Sequence, residues 1–200
     1  MKRLKRCGWS ENDDLMNRYH DEEWGVPAHD DGTHFEFLVL ESAQAGLSWR
    51  TVLNKRENYR KVYDNFDPRI VATYGNKKIE ELLGNPGIIR NRKKIEASIN
   101  NARHFLEIQD EFGSFDAYLW HFTDRRQVVN RWKRLEDLPA RTELSDRISA
   151  DMKKRGFSFV GSTIIYSHLQ AVGVVNDHLV HCFRYRQVMA IDVLTIPPSI

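Results

Sequence analysis

ELLGNPGIIRNRKKI, Glu81 to Ile95, is the stretch on which the fold turns. Its first residues suit a helix, Gly84-Asn85-Pro86-Gly87 breaks that helix, and the residues after the break suit a second one. Two helices joined by a tight Pro-Gly turn read as a helix-hairpin-helix. Such a turn aims backbone N–H groups and a helix N-terminus at a phosphate. Arg90, Arg92, Lys93 and Lys94 follow directly and would add sequence-independent attraction to a nucleic-acid backbone. The alternative is an ordinary helix break with a solvated basic face.

Working outward, helical periods recur and strand alternation is weak. A long helix is expected from about Ile89 to Asp110, with Ile95, Ile99, Ala102, Phe105 and Leu106 on one face. Upstream, His34 to Trp49 reads as a helix buried on most sides, with Asp30 or Thr33 as its cap. Thr51 to Tyr63 reads as a charged amphipathic helix, Asp67-Pro68 opens a short one, and Lys77 to Leu83 forms another. Downstream, helices are expected at Phe115 to Trp120, Leu144 to Arg155, Thr163 to Val172 and Asp177 to Phe183. The expected class is all-α.

The chain has 200 residues and a formal net charge of +2, with no repeat and no linker long enough to separate domains. That charge is too small to mark the whole surface as nucleic-acid binding, so any such contact must come from a local patch. Two cysteines in a chain of this size point to a reducing compartment. The start, MKRLKRCGWS, is basic with no apolar run behind it, which argues against a signal peptide. Phe157 to Asn176 carries no formal charge, but its serines, glycines, His168 and Gln170 make it a buried helix rather than a membrane span. A cytoplasmic protein without a membrane partner is expected.

Chemistry concentrates in three places. Cys7 and His20 near the start, with His178 and Cys182 near the end, form the usual tetrahedral donor set for structural zinc. If His178 and Cys182 lie on a helix, their spacing of four puts them on one face. Ordinary buried residues, or one Cys7–Cys182 disulfide, are the competing readings. Glu41 sits in the otherwise apolar LVLESAQAG, where a carboxylate must be paired, protonated or functional. Trp9, Tyr19, Trp24 and Trp49 flank it in sequence and could sandwich a flat cationic ring, or could simply be core. There is no phosphate-binding glycine loop, no G-x-S-x-G and no H-E-x-x-H. His29, His34, His104, His121 and His168 have no partner at ligand spacing and read as structural or surface residues.

RCGW (Arg6 to Trp9), YHDEEWGVP (Tyr19 to Pro27), LESAQAGLSWRTVLNKRENYR (Leu40 to Arg60), GIIRNRKKI (Gly87 to Ile95) and KKRGFSFVGSTIIYSHLQAVGVVNDH (Lys153 to His178) occur in that order, followed by Cys182. Together they resemble the 3-methyladenine DNA glycosylase I family over Arg6 to Phe183. The resemblance implies a helix-hairpin-helix glycosylase fold as a single domain over 1–183, with the hairpin near 81–95. It implies one structural Zn2+ per chain on Cys7, His20, His178 and Cys182, clasping the two ends together. It places the base-recognising, catalytic carboxylate on Glu41, the stacking rings on Tyr19 and Trp49, and pocket walls on Trp9 and Trp24. Gly46 and Leu47 would fill the gap left in the duplex, and Gly87, Ile88, Arg90, Arg92 and Lys93 would contact its backbone.

The implied reaction is monofunctional hydrolysis of the bond between 3-methyladenine and its sugar, after the nucleotide is flipped out of alkylated double-stranded DNA. The implied setting is a bacterial cytosol, with a monomer that needs no obligate protein partner. A DNA-binding module without catalysis, or a glycosylase for another damaged base, are the rival expectations. The tail from Arg184 to Ile200 has no counterpart in the resemblance; it is a flexible terminus or packs on the domain or a partner.

Overall fold

Side-chain caps set where the helices begin. Asp13, Asp30, Asn91 and Ser114 each accept a hydrogen bond from the backbone N–H three residues on, at 2.7–3.2 Å. The computed structural model describes residues 4–11 and 13–190. Within them run α1 (Asp14–Glu22), α2 (Asp31–Gln44), α3 (Trp49–Leu53), α4 (Arg56–Val62), α5 (Pro68–Val71) and α6 (Asn76–Gly84). These are followed by α7 (Arg92–Phe112), α8 (Phe115–His121), α9 (Glu143–Lys154), α10 (Ser162–Ala171) and α11 (Phe183–Met189). Two short strands, β1 (Val128–Val129) and β2 (Val175–Asn176), pair in parallel with Val128 opposite Val175. The expected helical class holds, with this two-residue pairing as its one sheet among the described residues.

Helix α2 is the axis of the molecule. It packs against α3, α7, α8 and α10, and nine of its residues from His34 to Ala43 are buried. Phe35, Leu38 and Leu40 are wholly enclosed, and Phe35 meets Phe105 of α7 edge-on at 5.2 Å. Asp31 in its first turn accepts from the Phe115 and Asp116 N–H groups of α8 and from Gln109, which fixes α8 to α2. His29 and His34 both meet Asp116 Oδ1 at 3.1 Å, as structural residues should. No helix among the described residues is long and apolar enough to cross a membrane.

Several helix boundaries differ from expectation, each for a local reason. The helix expected over 34–49 stops at Gln44 because Gly46 takes φ +79° and Ser48 caps a new helix at Trp49. The amphipathic helix expected over 51–63 divides where the Asn54 amide bonds the Arg50 carbonyl, so α3 and α4 are separate. Helix α7 begins three residues later than expected, at its Asn91 cap, and ends past Asp110 at Gly113 with φ +84°. The helix expected over 177–183 does not form: β2 and the hydrogen bonds of Asp177 hold the start of that segment out of a helix, a turn follows, and α11 begins only after Cys182. Of the tail from Arg184, the first turns belong to α11, whose Val188 is fully buried; 191–200 lie outside the described residues.

A candidate base pocket backed by a four-donor metal centre

The two ends of the chain meet in a closed cluster. Cys7, His20 and His178 are fully buried and Cys182 nearly so, and their donor atoms all lie within 4.8 Å of one another. Cys182 Sγ stands 3.5 Å from His20 Nε2 and 3.6 Å from His178 Nδ1, and Cys7 Sγ stands 3.6 Å from the same His178 nitrogen. A tetrahedron with metal–sulfur bonds of about 2.3 Å and metal–nitrogen bonds of about 2.0 Å has S···N edges of about 3.5 Å. Three of the sulfur–nitrogen distances match that edge, and the four donors together suit a metal ion. Neither cysteine is in a disulfide, so that alternative falls.

The remaining ring nitrogens are committed as metal-binding histidines require. His20 Nδ1 meets Asp21 at 2.7 Å, Asp21 is held by Arg6, and His178 Nε2 meets the Trp24 carbonyl at 2.9 Å. Each hydrogen bond orients its ring so that the other nitrogen faces the cluster. Bonding to Cys7 pulls the Cys182 thiol down toward the thiolate, and the same contact, with burial, pushes Cys7 up.

Trp9 and Trp24 join this cluster to a cavity. Trp24 meets His178 edge-on at 4.7 Å, Trp9 meets His20 at 5.3 Å, and the two indoles meet each other at 5.1 Å. Beyond them opens a cavity of about 220 Å³ lined by Trp9, Tyr19, Trp24, Glu41 and Trp49. The sequence-predicted pocket residues thus all converge. Met16, Gln44, Leu138, Ser167 and Gln170 complete the lining. Gln44 follows Glu41 by one helical turn, and Gln170 follows Ser167 by three, so both pairs were findable once the pocket face of each helix was known. Leu138 lies in irregular chain after a single 3-10 turn and carries no sequence signal.

Glu41 is the chemical centre of this cavity. The residue is 4% exposed, and no hydrogen bond or ion pair to its carboxyl is found among the described residues. Burial pushes its carboxyl up to about 8. The buried arginine of α4, Arg56, is already engaged by Glu36 at 2.7 Å and Glu23 at 2.6 Å. Tyr19 and Trp49 stand 5.3 Å apart with rings inclined at 47°, and Phe37 backs Trp49 in a near-parallel stack at 6.2 Å. Burial, then the neighbouring Glu41 charge, raises the Tyr19 phenol well above its ordinary value, so it stays protonated. A flat ring entering here meets aromatic faces and one carboxyl that lacks a counter-charge.

The hairpin between α6 and α7 is tied from within. The Gly87 N–H donates to Asn85 Oδ1 at 2.7 Å, the Ile89 N–H donates to the Tyr59 hydroxyl, and Lys55 donates to the Pro86 carbonyl. A Cβ on Gly87 would lie 2.3 Å from the Asn58 amide, so the turn admits glycine alone without a shift of that side chain. Ile88 is buried, whereas Arg90, Arg92 and Lys93 are exposed. Arg92 is paired with Glu80 and Glu96; Arg90 and Lys93 have no ion partner among the described residues. Lys94 differs from its neighbours. It turns inward and donates to the Ala43 carbonyl at 2.8 Å and the Ala45 carbonyl at 2.7 Å, which removes it from the set of basic residues facing out. Leu47, 42% exposed, projects at the Gly46 turn between Glu41 and Trp49.

The helical scaffold thus holds an aromatic-walled cavity over one buried carboxyl, and Lys94 ties the start of the helix after the basic hairpin to the helix that carries that carboxyl. The model of the family described as methyladenine glycosylase matches residues 9–185. The chain is 47% identical over 182 residues to DNA-3-methyladenine glycosylase 1 of Escherichia coli K12, covering 91% of this chain and 97% of that relative. It is 41% identical over 177 residues to DNA-3-methyladenine glycosylase of Haemophilus influenzae, covering 88% and 96%. A crystal structure of 3-methyladenine DNA glycosylase I superposes with a TM-score of 0.87 at 47% identity, over 90% of this chain and 98% of that one. The Staphylococcus aureus 3-methyladenine DNA glycosylase I, solved to explain 3-methyladenine recognition, superposes at 0.86 with 34% identity, over 90% and 95%. The chain belongs to the methyladenine glycosylase family.

Proposed function

We propose that this chain hydrolyses the N-glycosidic bond of 3-methyladenine in alkylated duplex DNA, acting on a nucleotide flipped into the pocket of Glu41, Tyr19 and Trp49. The observation that carries the reading is the unpaired, buried Glu41 carboxyl between aromatic walls. Adenine alkylated at N3 is a cation with a weakened bond to its sugar, and it departs as a neutral base. It therefore needs extraction and recognition more than acid–base assistance. A positive ring would supply the charge Glu41 lacks, and would gain cation–π attraction from Tyr19 and Trp49. Neutral adenine would gain neither and would keep its stronger bond.

The lining supports a monofunctional reaction in which water attacks the sugar. Among the described residues it contains no lysine to form a covalent intermediate and no second carboxylate to activate water. Glu41 is read as the catalytic group in the sense that its charge stabilises the cationic base in the reacting state.

Zinc is the metal that two thiolates and two imidazoles at this spacing suit best, and its part is structural. When bound it would crosslink the two ends of the chain; four protein donors leave no position for water. The residues about it orient the His20 and His178 rings and carry Trp9 and Trp24 as pocket walls. Residues 1–183 are read as one domain, since the apolar core runs unbroken from Cys7 to Cys182.

For DNA, the reading assigns Arg90, Arg92, Lys93 and the hairpin at Gly87 and Ile88 to the backbone, with Gly46 and Leu47 entering the gap. The N-terminus of α7, one turn beyond the hairpin, supports a phosphate there. The Gly87 and Ile88 N–H groups are already bonded to Asn85, so the part of the hairpin is to hold the turn that sets Arg90, Arg92 and Lys93 against the backbone. Replacing Arg90 and Lys93 together by alanine is expected to lower the slope of log affinity against log salt by about 1.8. Anisotropy titrations at several salt concentrations measure this, and an unchanged slope would remove the hairpin from the interface. The protein is read as a monomer of a bacterial cytosol, requiring no partner besides DNA.

The deciding experiment incubates the protein with N-methylated duplex DNA and identifies released bases by chromatography and mass. Free 3-methyladenine, with normal adenine left in place, is the expected product. A folded, metal-loaded protein that binds the duplex and releases nothing would make it a binding module instead.

A further inference from the structure

Lys94 stands in the first turn of α7, immediately after the hairpin, yet it faces the pocket segment and not the surface. Its ammonium donates to the Ala43 and Ala45 carbonyls at 2.8 and 2.7 Å. These carbonyls belong to the last turn of α2, where backbone acceptors lack helical partners and a cation is favoured. The side chain is drawn partly out of water to make these bonds, and that burial lowers its pKa. Two residues before Ala43 is Glu41; directly after Ala45 come Gly46, at φ +79°, the exposed Leu47, and then Trp49. One ammonium therefore bolts the helix that leaves the hairpin to the backbone that aims Leu47.

Resting on the functional reading above, we infer that Lys94 is a positioning residue for extrusion of the nucleotide. It transmits docking of the hairpin on DNA to the Gly46–Leu47 turn, so that the turn enters the duplex in register with the phosphate contacts. Recognition of the base, once it is out, does not depend on it, because Glu41 and Tyr19 stand on α2 and α1, and Trp49 at the start of α3 is held by its own packing against Tyr19 and Phe37. A phosphate-binding role is closed to this side chain, since both bonds it makes point into the protein.

The test compares wild type with Lys94→Met, Lys94→Arg and Leu47→Ala in single-turnover excision from methylated duplex, in binding of free 3-methyladenine followed by tryptophan fluorescence, and in the salt dependence of duplex binding. Lys94→Met is expected to slow duplex excision by about tenfold or more, the effect of losing a charged, doubly bonded contact. Free-base affinity should stay within about twofold and the salt slope should not move, where loss of a phosphate contact would lower it by about 0.9. Lys94→Arg, which can donate to both carbonyls, should restore most of the rate. Adding Leu47→Ala to Lys94→Met should cost less than the sum of the two, because both act on one step. Unchanged duplex excision in Lys94→Met overturns the inference. So does free-base binding that falls in step with excision, which would make Lys94 a pocket-building residue, or a slope reduced by one phosphate. Should Lys94→Met fail to fold, a Lys94→Arg rate no better than that of Leu47→Ala overturns the inference in its place. A wild-type protein that excises nothing would instead remove the glycosylase reading, and this inference with it.

Discussion

Glu41→Gln is expected to slow excision of 3-methyladenine by about 10- to 100-fold, the worth of a hydrogen bond to a charged group. Glutamine keeps the shape and the capacity to accept a hydrogen bond but cannot supply the negative charge. The pH profile carries the finer prediction. With its carboxyl raised to about 8 by burial, Glu41 in the empty pocket holds its proton at neutral pH. Capture of a cationic base requires that proton to leave, so kcat/KM should climb with pH up to about 8 and level off above it. In the bound state the cation favours the carboxylate, so the corresponding limb of kcat should lie at lower pH. Glu41→Gln should flatten both limbs. Full excision with an unaltered profile in that variant would remove Glu41 from the chemistry.

The same substitution should strengthen the fold under alkaline conditions. Folded Glu41 titrates near 8 and an unfolded glutamate near 4.5, so the folded state binds the extra proton between those values. Stability contributed by this group is complete below the lower value and is lost as pH rises through the higher one. Glutamine has no proton to lose. Glu41→Gln should therefore be more stable than wild type at pH 9, by up to about 5 kcal/mol, and nearly equal to it at pH 4. Denaturant unfolding at the two values measures the difference. Activity and stability then move in opposite directions at one residue, as expected where a site holds an uncompensated charge.

Cys182→Ser is expected to abolish stoichiometric metal binding and to lower unfolding stability by about 4 kcal/mol or more, roughly 10 °C in Tm for a chain of this length. The hydroxyl is a poor ligand, and the other three donors are fully buried, with the opposite nitrogens of the two histidines already engaged. Activity should fall because Trp9 and Trp24 rest on His20 and His178. That loss should track the fraction unfolded and should be relieved by cooling. A variant that lost activity while its metal content and melting temperature stayed those of wild type would give the metal a chemical part. Chelators should act on the native protein slowly, since three of the donors are fully buried and Cys182 is nearly so.

Much of this site is legible without the fold, and the reasons differ from residue to residue. Glu41 stands out because a carboxylate in an apolar helix contradicts its own surroundings. Cys7, His20, His178 and Cys182 stand out as a donor set, although one supporting reason is mistaken. His178 and Cys182 do not share a helix face; an extended turn held by Asp177 brings them together. Helix α2 is visible by burial, but its end is not, since Gly46 in an apolar run does not announce a left-handed turn. Lys94 misleads by its company. Beside Arg92 and Lys93 it looks like one more surface cation, and only the approach of α2 shows that it faces inward.

By itself the sequence determined what is local: helix starts set by Asp13, Asp30, Asn91 and Ser114, a hairpin set by Pro86 and Gly87, the donor chemistry of four residues, and the anomaly of Glu41. Each depends on a side chain and its neighbours within a turn or two. Tertiary structure alone decided what depends on distant segments meeting. It closed Cys7 on Cys182, stood the pocket walls Trp9 and Trp24 on the metal-binding histidines, brought Leu138, Ser167 and Gln170 to the cavity, and turned Lys94 onto α2. Such meetings are selected by the packing of one shared core, to which every helix contributes and which no short window of sequence contains.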